Sequence, residues 1–168
     1  MPQLQSIREP LSISVVVPLY NKATYVEKTL ISILSQTHPI HEVIVVNDGS
    51  TDDGPRLVEA ISDERIKLIH QDNQGPGSAR NRGLRAAKSP YVTFLDADDE
   101  WLPNFLEVTL NHLSQHPDCA LCLTGQYRGG KRSDWGKTLS TLGLRSGLWQ
   151  LPLDLPMEQY KPNIDVLH

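Results

Sequence analysis

With 168 residues, the chain is long enough for one domain with a sizeable core and too short for two comfortable ones. A composition of 39% hydrophobic and 21% charged residues, with a net charge of -4, gives no support to a nucleic-acid or anionic-membrane footprint. Two cysteines exclude a disulfide scaffold, no apolar run approaches transmembrane length, and residues 1–11 lack the apolar middle of a signal peptide, so a cytoplasmic protein is expected.

The first predicted strand is Ile13–Val17, a continuous β-branched run ended by Pro18 and read as buried on both faces. Pro18-Leu19-Tyr20-Asn21-Lys22 follows as a loop. Thr24 and Glu27 have the spacing of a capping box, and Val26, Leu30, Ile33 and Leu34 continue at helical spacing. Glu42–Asn47 is a second continuous strand, broken by the turn and N-cap cluster Asp48-Gly49-Ser50-Thr51-Asp52-Asp53 before a second helix. Ile66–His70 is a third strand, 74–78 a glycine-rich loop, and Ala79–Ala87 a small-residue helix. Tyr91–Leu95 reads as a short buried fourth strand. Leu102, Leu106, Leu110 and Leu113 predict a fourth helix with Pro103 near its first turn, and Ala120–Thr124 a fifth strand.

Strands that are continuously apolar and alternate with helices predict a doubly wound, mostly parallel α/β sheet with right-handed crossovers. The expected division is an N-terminal extension over 1–12, an α/β domain over 13–125, and a further region over 126–168. That last region is rich in glycine and proline, and reads as a long functional loop or a poorly ordered tail.

The fourth strand runs directly into Asp96, Asp98 and Asp99. An apolar strand ending in acids delivers them to the mouth of such a sheet, where ligands bind beyond the carboxyl ends of the strands. If the extended geometry persists, Asp96 and Asp98 point the same way. Paired carboxylates suit Mg2+ or Mn2+, above all an ion also held by substrate phosphates. The alternative is that Asp98 or Asp99 merely caps the helix starting near Pro103.

Two other patterns are set aside. His112, His116, Cys119 and Cys122 invite a zinc site, but no second cysteine pair exists, and the two cysteines would face opposite ways on a strand. Gly75 and Gly77 suggest a dinucleotide fingerprint, but they follow the third strand and lack the third glycine.

Every predicted βα junction carries polar or glycine-rich residues, as expected if one ligand lies along the carboxyl edge of the sheet. The residues there resemble a known family. Val17-Pro18-x-Tyr20-Asn21, Val46-Asn47-Asp48-Gly49-Ser50-Thr51-Asp52, Gly77-x-Ala79-Arg80-Asn81-x-Gly83 and Phe94-Leu95-Asp96-Ala97-Asp98-Asp99-x-Trp101 together are similar to family 2 glycosyltransferases. The resemblance covers about residues 13–123 and implies a GT-A (Rossmann-like) fold that uses nucleotide-diphosphate sugars, with Asp96-Ala97-Asp98 as its Asp-x-Asp motif.

The resemblance implies that Asp48 accepts the uracil imide N–H, a charge-assisted contact selecting a UDP-sugar; an Asx turn or helix cap is the structural alternative. Pro18, Tyr20, Asn21 and Ala97 would contact the nucleoside, and Arg80 would reach the base or stabilise the carboxylates. Asp96 would contact the ribose, or the metal through water. Asp98 would bind Mn2+ or Mg2+ bridging the diphosphate, so that an acceptor hydroxyl attacks with inversion.

The family's acidic general base beyond the metal motif has no counterpart here; Asp134, Asp154, Glu158 and Asp165 lie outside its expected context. The expectation is therefore the donor-binding part of a longer transferase lacking its C-terminal part, with 126–168 opening an incomplete acceptor side, or else a naturally short relative. The acceptor would be a glycan, as in polysaccharide biosynthesis, or a lipid-linked hydroxyl at the inner face of the membrane. An exposed apolar edge would favour a homodimer. A non-catalytic nucleotide-sugar-binding module is the alternative, and a sugar nucleotidyltransferase is disfavoured because the loop after the first strand has no glycine.

Overall fold

The computed structural model describes residues 11–115, 127–128 and 131–132. The described residues fall into two compact units that divide after Val108. The first unit holds β1 (Ile13–Leu19), α1 (Val26–Leu34), β2 (Glu42–Asp48), α2 (Gly54–Ala60), β3 (Ile66–Gln71), α3 (Pro76–Ala86) and β4 (Tyr91–Phe94). The helix α4 (Phe105–Gln115) starts in this unit. In the second unit the short strands β5 (Tyr127–Arg128) and β6 (Lys131–Arg132) pair antiparallel. The cysteine pattern, the predicted fifth strand and the late acids lie outside the described residues.

The first four strands form one parallel sheet in the order β3-β2-β1-β4. Its central strands β1 and β2 are buried almost throughout, as continuous β-branched runs require. Side chains alternate across the sheet. Val16, Ile44 and Val46 pack with Ala79 under α3, joined by Ile69, Val92 and Phe94. Gly83 allows that approach, because a Cβ there would lie 2.3 Å from Val16 Cγ1. On the opposite face Leu19 reaches Gly54 of α2, and α2 packs on α1, whose Val26, Leu30 and Ile33 are buried. Helices on both faces make the sheet doubly wound.

Four local expectations change. Pro18 continues β1 instead of ending it. It points the same way as Val16, whose carbonyl accepts from Leu95, and β4 has ended at Phe94, so no ladder bond lacks its donor. The Thr24–Glu27 capping box does not form: α1 begins without a side-chain cap, and Asp52 Oδ2 accepts from the Ala23 N–H at 2.8 Å. The fourth strand is only partly buried, because β4 is the sheet's edge among the described residues. Finally, α4 starts at Phe105, which leaves Leu102 exposed. Its Leu106 N–H is taken by Gln36 Oε1 at 3.0 Å, while the Asp98 carboxylate is engaged by Lys22.

Candidate functional site

The carboxyl ends of β1, β2 and β4 and the start of α3 surround an open cleft of about 470 Å³. Pro18, Tyr20, Lys22, Asp48, Asn73, Gly75, Pro76, Arg80, Asp96, Ala97 and Asp98 are among its walls. The sheet topology explains the gathering: parallel strands with short βα junctions place every junction at one edge. Gly49 is needed at this edge, since its φ of 72° is left-handed and a Cβ would lie 2.9 Å from the Asn73 backbone nitrogen.

Asp48 closes β2 and is 2% exposed. Its Oδ1 accepts from Gln71 Nε2 at 2.7 Å and from the Gln74 N–H at 2.9 Å. These bonds fix the carboxylate and tie β2 to the loop before α3. Among the described residues, nothing donates to its second oxygen.

Arg80 belongs to α3, yet it is only 8% exposed. Its Nη2 donates to Asp96 Oδ1 at 2.6 Å, whereas Nη1 is buried and finds no protein partner among the described residues. A buried guanidinium donor without an acceptor is an uncommon arrangement, and this one belongs to a residue of the cleft wall.

Beyond β4 the chain turns, with the Asp99 N–H donating to the Asp96 carbonyl at 3.0 Å. The extended geometry does not persist, but Asp96 and Asp98 both still line the cleft. Thr29 of α1 pins the turn by donating to the Ala97 carbonyl at 2.9 Å. Asp98 Oδ2 meets Lys22 Nζ at 2.6 Å, and that hydrogen bond, with the charge of Asp98, raises the Lys22 pKa above its ordinary value despite some desolvation.

Asn21 is placed differently from its neighbours and is not part of the cleft wall. It takes a φ of 52°, which asparagine tolerates. Its Oδ1 accepts from the Thr51 N–H at 2.8 Å, and its own N–H donates to Ser50 Oγ at 3.1 Å. The side chain therefore clasps the β1–α1 loop to the β2–α2 loop, with Tyr20 and Lys22 on either side.

The cleft thus gathers Pro18, Tyr20, Asp48, Arg80, Asp96, Ala97 and Asp98 of the residues singled out in the sequence. Sequence reasoning missed Lys22, Gln71 and Gln74. Lys22 stands in the same loop as Tyr20, but its partner lies 76 positions away. Across the cleft, three carboxylates face two cationic side chains. Among the described residues no group of three or more His, Cys, Asp or Glu could hold a metal. The cleft offers instead the one or two carboxylates that suit a phosphate-bound Mg2+ or Mn2+.

A model described as glycosyl transferase family 2 matches residues 14–166. EpsH of Bacillus subtilis, whose name marks it as an inferred glycosyltransferase, is 37% identical over 154 residues, covering 90% of this chain and 42% of EpsH. The crystal structure of S. aureus TarS 1-349 in complex with UDP-GlcNAc is similar with a TM-score of 0.65 and 31% identity, over 72% of this chain and 36% of that one. The mannosyltransferase PcManGT from Pyrobaculum calidifontis, in complex with GDP-Man and Mn2+, gives 0.58 and 32%, over 64% and 33%. The chain therefore spans less than half the length of each of these relatives.

Proposed function

The chain belongs to glycosyl transferase family 2, and on that premise we propose that its cleft binds a UDP-sugar with a divalent cation for inverting transfer to a hydroxyl acceptor. The observation that carries this reading is the Arg80–Asp96 pair at 2.6 Å, a mostly buried guanidinium holding a carboxylate in a cleft wall shared with Asp48 and Asp98. Cationic side chains among carboxylates in one cleft suit an anionic nucleotide bound together with a divalent cation.

Within this reading Asp48, oriented by Gln71 and Gln74, accepts the uracil N–H with its remaining oxygen. Pro18, Tyr20 and Ala97 wall the nucleoside, and Asn21 acts through the loop clasp rather than by contact. Asp96, held by Arg80, faces the ribose, or the cation through water. Asp98 holds Mn2+ or Mg2+, with Asp96 beside it. A bound cation of this kind neutralises charge on the leaving diphosphate. The chain's own work is to orient the donor so that one face of the sugar stays open to the acceptor.

The proposal extends to the domain division. Residues 13–125 supply the donor side, and 126–168 begin the acceptor side, where a glycan or lipid-linked hydroxyl would dock. The protein would work in the cytoplasm or at the inner face of the membrane, in polysaccharide biosynthesis and as a homodimer.

Calorimetric titration of UDP into the chain, with Mn2+ and then with EDTA, tests the reading. Binding that disappears with EDTA is the expected result. Equal binding in both conditions would remove the cation from the proposal, and no binding in either would overturn the nucleotide site.

A further inference from the structure

We infer that Lys22 is a stand-in for the divalent cation: it neutralises Asp98, yields that position when nucleotide and cation arrive together, and so makes cation binding conditional on nucleotide. The inference rests on the assignment of Asp98 to the cation made above.

Each of the two carboxylates that could serve the cation is already held by a cation of the chain, but the two pairs differ in kind. Arg80–Asp96 has an arginine side chain only 9% exposed and a planar fork committed to its geometry. Lys22–Asp98 is a 2.6 Å contact with side chains 39% and 38% exposed. An exposed pair contributes little net stability and exchanges readily. Lysine is moreover a compact point charge on a flexible four-carbon stem, so its head can move while its root stays fixed.

That root is fixed. The neighbouring Asn21 is clasped to Thr51, and the Lys22 carbonyl accepts the N–H groups of Tyr25 and Val26 at the start of α1. A displaced ammonium therefore stays in the cleft it already lines. A cation arriving alone must evict Lys22 and then sit beside a like charge. A cation arriving with a diphosphate brings anionic oxygens that take up the ammonium, and the conflict disappears. The coupling is reciprocal: nucleotide strengthens cation binding by the same factor as cation strengthens nucleotide binding.

The test is Mn2+ binding to the full chain, followed by loss of the free-ion signal in electron paramagnetic resonance, with and without UDP. In the parent protein UDP should tighten Mn2+ binding. K22M should bind Mn2+ alone about fivefold more tightly, and the tightening by UDP should shrink by a similar factor. K22R keeps the charge and should bind Mn2+ alone no more tightly than the parent; tighter binding would show that charge at this position is not what opposes the cation. Unchanged Mn2+ affinity and unchanged UDP coupling in K22M would overturn the inference and leave Lys22 as a surface ion pair. D98N separates this from failure of the underlying assignment: loss of Mn2+ binding upholds Asp98 as the cation's ligand, whereas retained binding sinks that assignment whatever K22M does. Circular dichroism melts of each variant confirm that the folded state is being compared.

Discussion

The strand β2 carries a buried acid at each end of the sheet face covered by α3: Glu42 at its amino end, 1% exposed, and Asp48 at its carboxyl end, 2% exposed. Glu42 is closed off within the protein. Its Oε1 accepts from Ser14 Oγ and the Lys88 N–H, both at 2.7 Å, and its Oε2 from Lys67 Nζ at 2.6 Å. Asp48 is held by two neutral donors on one oxygen, and Arg80, of the same cleft wall, has a buried Nη1 with no protein acceptor among the described residues. Burial of an acid does not by itself mark a site. What distinguishes the two ends is whether the chain satisfies its own polar groups. By that criterion the amino end is closed structure, and the carboxyl end keeps hydrogen-bonding capacity that the proposed nucleotide site would use.

The strongest way to break the comparison is E42A. Removing the carboxylate strands Ser14 Oγ and the Lys88 N–H in the interior and frees Lys67, and should destabilise the fold by about 3 kcal/mol. Urea denaturation measures the loss, and UDP affinity of the folded fraction should not change. A loss well under 1 kcal/mol would show that the amino end is not the structural anchor.

At the other end D98A should do the reverse. Its partner Lys22 is exposed, so stability should move by less than about 1 kcal/mol. Affinity for UDP in the presence of Mn2+ should fall at least about tenfold, or about 1.4 kcal/mol. Unchanged Mn2+-dependent affinity would remove Asp98 from the site. A smaller binding effect is expected of D48A, about fivefold with relaxed preference for uracil over other bases, because neutral hydrogen bonds to a base contribute about 1 kcal/mol. Retained discrimination among nucleotides would break the assignment of Asp48.

The part of this architecture that was legible in the sequence is the part fixed by local pattern. Continuous β-branched runs placed the first two strands to within two residues, and the polar clusters that follow them meet in one cleft because parallel strands leave no other edge for them. The errors arise where a distant residue takes over a local role. Asp52 caps the chain before α1 in place of Thr24, Gln36 takes an N–H of α4, and Lys22 engages Asp98 across 76 positions. None of these contacts has a sequence period, so no pattern could announce them. The resemblance marked Arg80 for the base or the carboxylates, but no local pattern gives its burial, which follows from the close approach of α3, through Gly83, to Val16. Even Glu42, a lone acid opening an apolar strand, gives no sign that Ser14 and Lys67 will flank it.

The smallest expected effect sharpens the comparison most finely, because it titrates one end alone. Burial pushes the Glu42 carboxyl up, but hydrogen bonds from Lys67, Ser14 and the Lys88 backbone, with the charge of Lys67, outweigh it and hold the group down at about 2, from an ordinary 4.5. A carboxyl whose folded value lies below its unfolded one gives stability that is full above about pH 4.5 and lost as the pH falls toward 2. K67M removes the one charged and partly exposed donor, so it should destabilise by about 1 kcal/mol at neutral pH. It also lets the folded carboxyl rise, so less stability remains to be lost in acid. Urea midpoints of parent and variant should therefore differ most above pH 4.5 and converge as the pH falls to about 2 and below, where Glu42 takes up its proton in both. The Asp63–Arg65 pair, with Asp63 also held at about 2, titrates identically in the two proteins and drops out of the difference. A constant offset down to pH 2 would mean that Lys67 acts through packing of its stem, and that the closed end of the sheet owes little to charge.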